Sequence, residues 1–135
     1  MKILVIDGQG GRLGQRLVAE LLSAFPEAEL TAVGTNSRAT ESMIKGGAVR
    51  AATGENAVIA ACRHAELIVG PLGIAVADSL LGEISPAMAN AVASSPARRV
   101  LIPMKLCDTY VAGVTQPPAA LIRDALEHIR SLTQA

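Results

Sequence analysis

The sequence predicts an α/β fold built as one doubly wound domain over residues 1–135, with helices on both faces of a mostly parallel sheet. Short apolar runs alternate along the chain with amphipathic helical patterns, which is typical of this class. A chain of 135 residues has the size of one domain. Half of the residues are hydrophobic, and the small aliphatic side chains among them suit strands that are buried on both faces.

The alternation assigns the elements in order. Strands are expected near 2–6, 29–33, 48–51, 66–70 and 98–103. Helices are expected over about 13–25, 37–46, 55–63, 86–94 and 118–132. The first helix has the clearest pattern, because leucines recur every four residues from Leu13 to Leu21. The fourth has a clear start, because Ser85 is a favoured N-cap and Pro86 suits the first helical position.

A sixth strand is expected in "TYVAGV", residues 109–114. The segment follows the fifth strand after only a few residues, whereas a parallel crossover needs about a dozen or more. The sixth strand is therefore predicted to form a hairpin with the fifth and to run antiparallel at the edge of the sheet. We predict the strand order 3-2-1-4-5-6.

Charge and composition exclude several classes of function. The chain has 12 basic and 12 acidic residues and two aromatic residues, Phe25 and Tyr110, so it has neither the field nor the stacking surface for nucleic acid. Its apolar runs are shorter than the roughly 18–20 residues that a membrane helix needs. The opening "MKILVIDG" is also too short and too acidic for a secretory signal. We expect a cytoplasmic protein with no membrane partner.

Metal and thiol chemistry are not indicated. Cys62 and Cys107 form no C-x-x-C pair and no zinc ligand set. We expect both to be buried or inert thiols. His64 and His128 lie near predicted helix ends and are interpreted as surface or capping residues.

The segment "VIDGQGGRLGQRL", residues 5–17, is the strongest functional motif. Gly8, Gly11 and Gly14 recur every three residues at a strand-to-helix corner. We expect Gly8 to permit the bend, Gly11 to let the backbone approach a ligand, and Gly14 to allow close packing of helix on sheet. A corner that merely needs flexible residues is the alternative. In doubly wound sheets ligands bind outside the carboxyl ends of the strands, where the strand order reverses.

The other strand ends should meet the glycine turn at that edge. They read "GTNSR" at 34–38, "ATGEN" at 52–56, "GPLG" at 70–73 and "PMKLC" at 103–107. Small residues there indicate a cleft lined by backbone. The predicted binding residues are Asp7, Gly8, Gln9, Gly10, Gly11, Arg12, Leu13, Thr35, Asn36, Ser37, Arg38, Thr53, Gly54, Gly70 and Pro71.

"GQGGRLG" resembles the nucleotide-binding turn of dihydrodipicolinate reductases and extended short-chain dehydrogenases. That resemblance implies that residues 8–13 contact a cofactor pyrophosphate, and it covers about the first 20 residues. Over nearly its whole length the chain resembles a family of short bacterial Rossmann-like proteins of unknown function, through "VIDGQGG", "GTN", "ATGENA", "GPLGI" and "LGEI". This second resemblance implies a Rossmann-like fold and no known activity.

Two residues depart from a dinucleotide site. Asp7 places a carboxylate at the phosphate site, where it repels an anion unless it accepts bonds from the loop amides or binds a ligand hydroxyl. The second strand ends in Thr35 to Arg38, where an NAD site has an acidic residue for the ribose. Arg38 and the hydroxyl groups therefore favour NADP over NAD as the cofactor. The alternative is that Asn36 or Ser37 only caps the second helix.

Candidates for catalysis are few. Asp7, Glu55 and Lys105 are expected near the cleft, and a carboxylate with a lysine is able to move a proton. Lys105 beside Cys107 is a second, weaker combination. Three functions stay open: a nucleotide-binding module, a small NADP-dependent oxidoreductase whose active site is completed across a dimer, and an interaction protein without a ligand.

A homodimer is expected through residues 70–84, "GPLGIAVADSLLGEI". Leucine, isoleucine and valine dominate this segment, with Asp78 and Glu83 as its charged residues. Exposed apolar patches usually mark interfaces, and a symmetric dimer is the commonest closed assembly. The alternative is a lid that folds over an apolar pocket.

Overall fold

The computed structural model describes residues 1–104 and 108–133, in which five strands alternate with five α-helices. The strands are β1 Lys2–Asp7, β2 Glu29–Gly34, β3 Arg50–Thr53, β4 Leu67–Pro71 and β5 Arg98–Ile102. The helices are α1 Arg12–Ala24, α2 Ser37–Lys45, α3 Glu55–Cys62, α4 Pro86–Ser94 and α5 Pro118–Thr133. A short 3₁₀ helix, Leu72–Ala75, follows β4.

The sheet has the order β3-β2-β1-β4-β5, and every neighbouring pair is parallel. One core packs α1, α2 and α5 on one face, and a second core packs α3 and α4 on the other. The predicted doubly wound α/β fold is therefore confirmed. β1 lies at the centre with five consecutive buried residues, Ile3 to Asp7, as expected for a strand covered on both faces.

The predicted sixth strand is wrong. In residues 109–114 only Thr109 makes an isolated bridge, and a turn occupies Ala112 and Gly113. Gly113 has φ of 83°, which breaks an extended backbone. Tyr110 is 87% exposed, and Val111 and Val114 are only half-buried. The five strands of the described sheet are all parallel, and the expected antiparallel edge is not formed.

Smaller differences concern strand limits and helix ends. β3 begins at Arg50 rather than at residue 48, because Ala48 is buried in the core and pairing with β2 starts at Arg50. The predicted cap of α4 is present, since Ser85 accepts a hydrogen bond from the Met88 amide at 3.2 Å. No described helix has the length and hydropathy needed to cross a membrane.

The strand order reverses between β1 and β4, and because the strands are parallel the carboxyl ends of β2, β1 and β4 lie side by side. In such a sheet the two connections that leave the central strands diverge to opposite faces and open a crevice. The glycine turn after β1 lies at this crevice.

The glycine turn also makes a contact that the sequence motif does not reveal. A Cβ added to Gly11 would lie 2.6 Å from Cα of Ala39 on α2, and its φ is +71°. A Cβ added to Gly10 would meet no atom within 4 Å. Gly11 therefore serves the packing of α1 against α2. Its expected role in letting the backbone approach a ligand stays a prediction.

Gly11→Ala should lower the free energy of unfolding by about 1–3 kcal/mol, because the added methyl group would overpack against Ala39 and the backbone at this position is left-handed. Gly10→Ala is the matched control and should stay within about 0.5 kcal/mol of the parent chain. Urea unfolding of the three proteins measures both effects. Equal stability of the two variants would contradict the contact with α2.

Candidate functional site

Asp7 fixes the shape of the glycine turn. Its Oδ1 accepts a hydrogen bond from the Gly8 amide at 2.8 Å, and its Oδ2 accepts one from the Gly14 amide at 2.6 Å. The Gly14 amide is one of the first-turn amides of α1, and Gly11 at the N-cap has no side chain to reach them. Asp7 therefore caps α1 from the end of β1. This is the alternative in which Asp7 accepts hydrogen bonds from the loop amides.

The environment of Asp7 disfavours its charge. Burial raises the pKa of Asp7 above its usual range, the bonds from Gly14 and Gly8 lower it in part, and the nearby Glu83 charge raises it further. Its pKa is raised overall. Both oxygens are engaged with the turn, so this carboxylate is bound to the backbone rather than presented to a ligand.

Glu83 is the residue that sequence reasoning missed. Its Oε1 accepts hydrogen bonds from the Gln9 amide at 2.8 Å, from Thr35 Oγ1 at 2.5 Å and from Asn36 Nδ2 at 2.9 Å. Burial raises the pKa of Glu83, but the bonds from Thr35, Gln9 and Asn36 together lower it below its usual range. Glu83 is thus held as a carboxylate between the glycine turn and the end of β2.

The sequence offered little signal for this contact. Glu83 lies 48 residues from Thr35 and 74 from Gln9, in a segment that reads as an apolar loop. The string "LGEI" entered only as part of a family resemblance. The sole hint was a carboxylate within an otherwise apolar stretch.

Asn36, just after β2, bonds both α2 and Glu83. Asn36 Oδ1 accepts a bond from the Ala39 amide at 2.9 Å, which makes Asn36 the N-cap of α2. Asn36 Nδ2 also donates to the Gln9 carbonyl at 3.0 Å. Ser37 begins α2, and Arg38 is exposed in its first turn. The alternative that Asn36 caps the helix therefore holds, and Asn36 is in addition tied to the turn.

A cavity of about 410 Å³ opens beside the glycine turn. It is lined by Asp7, Gly8, Gln9, Gly10, Gly11, Arg12, Leu13, Pro71, Leu80 and Met104. Eight of these ten are predicted binding residues. Leu80 and Met104 were not predicted, and they supply apolar side chains opposite the backbone of the turn.

The remaining predicted residues lie outside this cavity. Thr53 Oγ1 is 2.7 Å from Thr40 Oγ1, and the Gly54 amide donates to the Gly34 carbonyl at 2.9 Å. Thr53 therefore contacts α2, and Gly54 binds the end of β2. Gly70 lies against β1, where an added Cβ would collide with the Ile6 carbonyl oxygen. Thr35, Asn36, Ser37 and Arg38 do not line the cavity. Thr35, Glu83 and Leu80 all lie within 2.9 Å of where a Cβ of Gly8 would be.

Of the expected catalytic residues that the structure describes, Asp7 lines the cavity and Glu55 does not. Glu55 Oε2 accepts a bond from Ser85 Oγ at 2.5 Å, at the start of α4. Lys105 and Cys107 lie outside the described residues. Burial raises the pKa of Cys62 to about 11, consistent with an inert thiol. Over residues 1–104 and 108–133 no group of three His, Cys, Asp or Glu side chains is arranged to hold a metal ion.

A second cavity, of about 460 Å³, lies at the other end of the sheet beside Lys2, Glu29, Arg50 and His64. It is formed where β3 and the alanine-rich face of α3 leave the sheet partly uncovered. Ligands of parallel sheets bind at the carboxyl ends of the strands. We therefore assign the candidate site to the cavity beside the glycine turn, although the second cavity is larger.

Residues 2–134 match the family described as Domain of unknown function (DUF3842), and the chain belongs to that family. No curated protein matches the chain. In structure, the whole chain aligns with 95% of a dodecameric FMN-dependent Ubix-like decarboxylase from Escherichia coli O157:H7, at a TM-score of 0.48 and 14% identity. A likeness at this level supports no argument about function, which therefore has to come from the geometry of the site.

Thr35→Val should raise the pKa of Glu83 toward its ordinary value of 4.5, because it removes one donor to the carboxylate. Since the folded-state pKa of Glu83 is lowered, its ionised form stabilises the fold above the ordinary pKa. This stabilisation is lost as the pH falls through the lowered value. Titration of the Glu83 carboxyl carbon by NMR measures the shift.

Thr31→Val is the matched control for this titration, because Thr31 lies half-buried on β2, the strand that leads to Thr35, and donates no bond to Glu83. An unchanged Glu83 pKa in Thr35→Val would contradict the hydrogen bond.

Proposed function

We propose that this member of the DUF3842 family is a nucleotide-binding module, whose ligand places a phosphate in the cavity beside the glycine turn. One observation carries the proposal. Gly11, Arg12 and Leu13 line the cavity at the N-terminus of α1, and the amides of a first helical turn point beyond the helix end. Anions bind at such ends because amide donors and the helix dipole act together.

The turn leaves donors for that phosphate. Asp7 takes the amides of Gly8 and Gly14, and Glu83 takes the amide of Gln9. The amides of Arg12 and Leu13 have no hydrogen-bond partner in the described parts of the chain. The Arg12 side chain at the cavity rim adds positive charge. Asp7 opposes this attraction, so we expect modest phosphate affinity.

A cavity of about 410 Å³ is within the range of small-molecule sites. Leu13, Pro71, Leu80 and Met104 offer an apolar wall for a base or a nicotinamide ring. Among dinucleotides we favour NADP over NAD, because Thr35, Asn36 and Arg38 are donors at the end of β2, where a ribose phosphate would lie.

Binding without chemistry is favoured over an oxidoreductase. Asp7 is the one carboxylate that lines the described cavity, and both of its oxygens are engaged. A proton donor or acceptor needs an atom free to reach the substrate. An active site completed across a dimer remains the alternative. We keep the cytoplasm as the expected location.

A thermal-shift screen against NADP, NAD, ATP, AMP, coenzyme A and S-adenosylmethionine tests the proposal. A ligand at a hundred times its dissociation constant should stabilise the fold by about 2.7 kcal/mol. Gly10→Val should abolish this shift without unfolding the chain, because its side chain would enter the cavity from a position with no neighbour within 4 Å.

The unliganded melting temperature of Gly10→Val is the control for folding. Gly11→Val is unsuitable, since its effect on the contact with Ala39 would be mistaken for a lost ligand. A screen without any stabilising nucleotide, or a ligand that binds Gly10→Val as well as the parent chain, would refute the proposal.

We also propose that the chain forms a homodimer through residues 70–84, on a smaller apolar surface than the sequence implied. Ile74 and Ile84 are buried in the core, and Leu80 is half-buried in the cavity wall. Leu81 is 89% exposed and Val76 is 39% exposed. These two side chains are left for an interface.

Sedimentation should therefore find a species near twice 13.9 kDa, which Leu81→Asp converts to a monomer. Leu81→Asp is preferable to Leu80→Asp, because Leu80 lines the cavity and its loss would also disturb the site. Tyr110→Asp removes an equally exposed side chain outside 70–84 and serves as the control. A parent chain that is monomeric at micromolar concentration would contradict the dimer.

A further inference from the structure

Residues 76–84, which we call the strap, run from the 3₁₀ helix after β4 to the start of α4. The strap carries Glu83 across the crevice to the end of β2. Three donors from two other parts of the chain converge on one oxygen of Glu83: the Gln9 amide, Thr35 Oγ1 and Asn36 Nδ2. Such a convergence of neutral donors is the usual construction of an oxyanion site.

The strap also closes the crevice sterically. A Cβ added to Gly8 would lie 2.7 Å from Thr35 Oγ1, 2.9 Å from Glu83 Oε1 and 2.9 Å from Leu80 Cδ1. The path from the glycine turn to the end of β2 is therefore filled by these side chains. A dinucleotide that extends along this path requires Glu83 and Leu80 to move.

The backbone of the strap is strained. Asp78, Leu80 and Leu81 have φ of 64°, 55° and 56°, a region that residues other than glycine seldom adopt. Strained backbone persists where surrounding contacts hold it. The contacts at one end are the hydrogen bonds of Glu83, and those at the other are the Ser79 hydroxyl on the Gly73 carbonyl.

The strap has a fixed base about which it is able to move. Ile84, the last residue of the strap, is 1% exposed, so its side chain holds this end in the core. The Asp78 amide donates a hydrogen bond to the Ile84 carbonyl at 2.7 Å, and the Ile84 amide donates one to the Ser79 carbonyl at 3.2 Å. α4 begins directly after, capped by Ser85. Movement would therefore lift residues 76–83 while α4 stays packed.

We infer that the strap is a latch displaced by the ligand, in which the Glu83 carboxylate occupies an anion subsite that a phosphate of the bound nucleotide takes over. This inference rests on the proposed function and names the group that the end of β2 recognises. When the phosphate replaces the carboxylate, Glu83 leaves Thr35 and Asn36, Leu80 leaves Gly8, and the cavity extends to the first turn of α2.

A phosphate is the group that fits this subsite. Donors directed at the oxygen of Glu83 serve a phosphate oxygen equally well, because both are anionic acceptors. Arg38 follows two residues after Asn36 in the first turn of α2 and is exposed there, so it is available to add a cation once the carboxylate has left. A ribose hydroxyl would gain less, since it brings no charge to replace that of Glu83.

The test compares Glu83→Ala with Glu41→Ala, which removes an equal charge from an exposed position on α2. Calorimetry with NADP, with NAD and with inorganic phosphate measures affinity. Glu83→Ala should bind NADP about tenfold more tightly than the parent chain, as expected when a latch closed about nine-tenths of the time is removed. NAD should gain less, and Glu41→Ala should match the parent chain.

Hydrogen exchange measures the latch without reference to affinity. The amide of Ile84 should exchange faster in Glu83→Ala, and in the parent chain on addition of NADP or phosphate, because its bond to the Ser79 carbonyl opens when residues 76–83 lift. Glu83→Gln keeps the shape of the side chain and should give a smaller effect of the same sign. Melting curves identify any variant that is unfolded, and Glu83→Gln then replaces Glu83→Ala in the comparison.

The outcomes separate the latch from the proposed function. NADP binding that is equal or weaker in both Glu83 variants, with unchanged strap exchange, would overturn the latch while nucleotide binding stands. If no nucleotide binds either chain but phosphate still speeds strap exchange in the parent chain, the proposed function fails and the latch stands.

Discussion

The hydrogen bonds of one carboxylate, Asp7, hold the end of β1 to the first turn of α1, and the geometry of the crevice depends on them. They are possible because Gly14 has no side chain: a Cβ there would lie 2.8 Å from Cβ of Asp7. With α1 held this close, residues 8–11 must form a tight turn. That turn sets where the Gln9 amide meets Glu83 and where α2 packs on Gly11.

The same carboxylate limits what the site is able to bind. Because its pKa is raised in the folded chain, the folded state holds the Asp7 proton more tightly than the unfolded state. Asp7 therefore lowers stability as the pH rises from its unfolded to its folded pKa. An ionised Asp7 below the turn also repels a phosphate above it. Glu83 adds a second negative charge near Asp7. If a phosphate displaced Glu83, one anion would replace another, and the two would not have to lie side by side.

The order of the first five strands was predicted, because apolar periodicity and element length assign the strands and 3-2-1-4-5-6 is the usual order of a doubly wound sheet. The edge of the sheet was not predicted correctly. Residues 109–114 were expected to form a strand, but Gly113 takes a positive φ. In the site, residues 7–13 of the cavity lining followed from the glycine turn, whereas Leu80 and Met104 did not. Glu83 did not, since its partners Thr35 and Gln9 are distant in sequence. The burial of Ile74 and Ile84 was missed because nothing local distinguishes a lid from an exposed loop.

The glycine repeat itself has a different meaning in the structure than in the sequence. Gly8 lies against Thr35 and Glu83, Gly11 against Ala39, and Gly14 against Asp7 and Met43. Each of the three evenly spaced glycines is therefore required by a contact within the chain, and the repeat alone would be expected even if no ligand were bound. Gly10 stands outside the repeat, lines the cavity, and has no neighbour in the direction of a side chain. The ligand proposal therefore rests on Gly10 and on the first-turn amides of α1, and not on the glycine repeat.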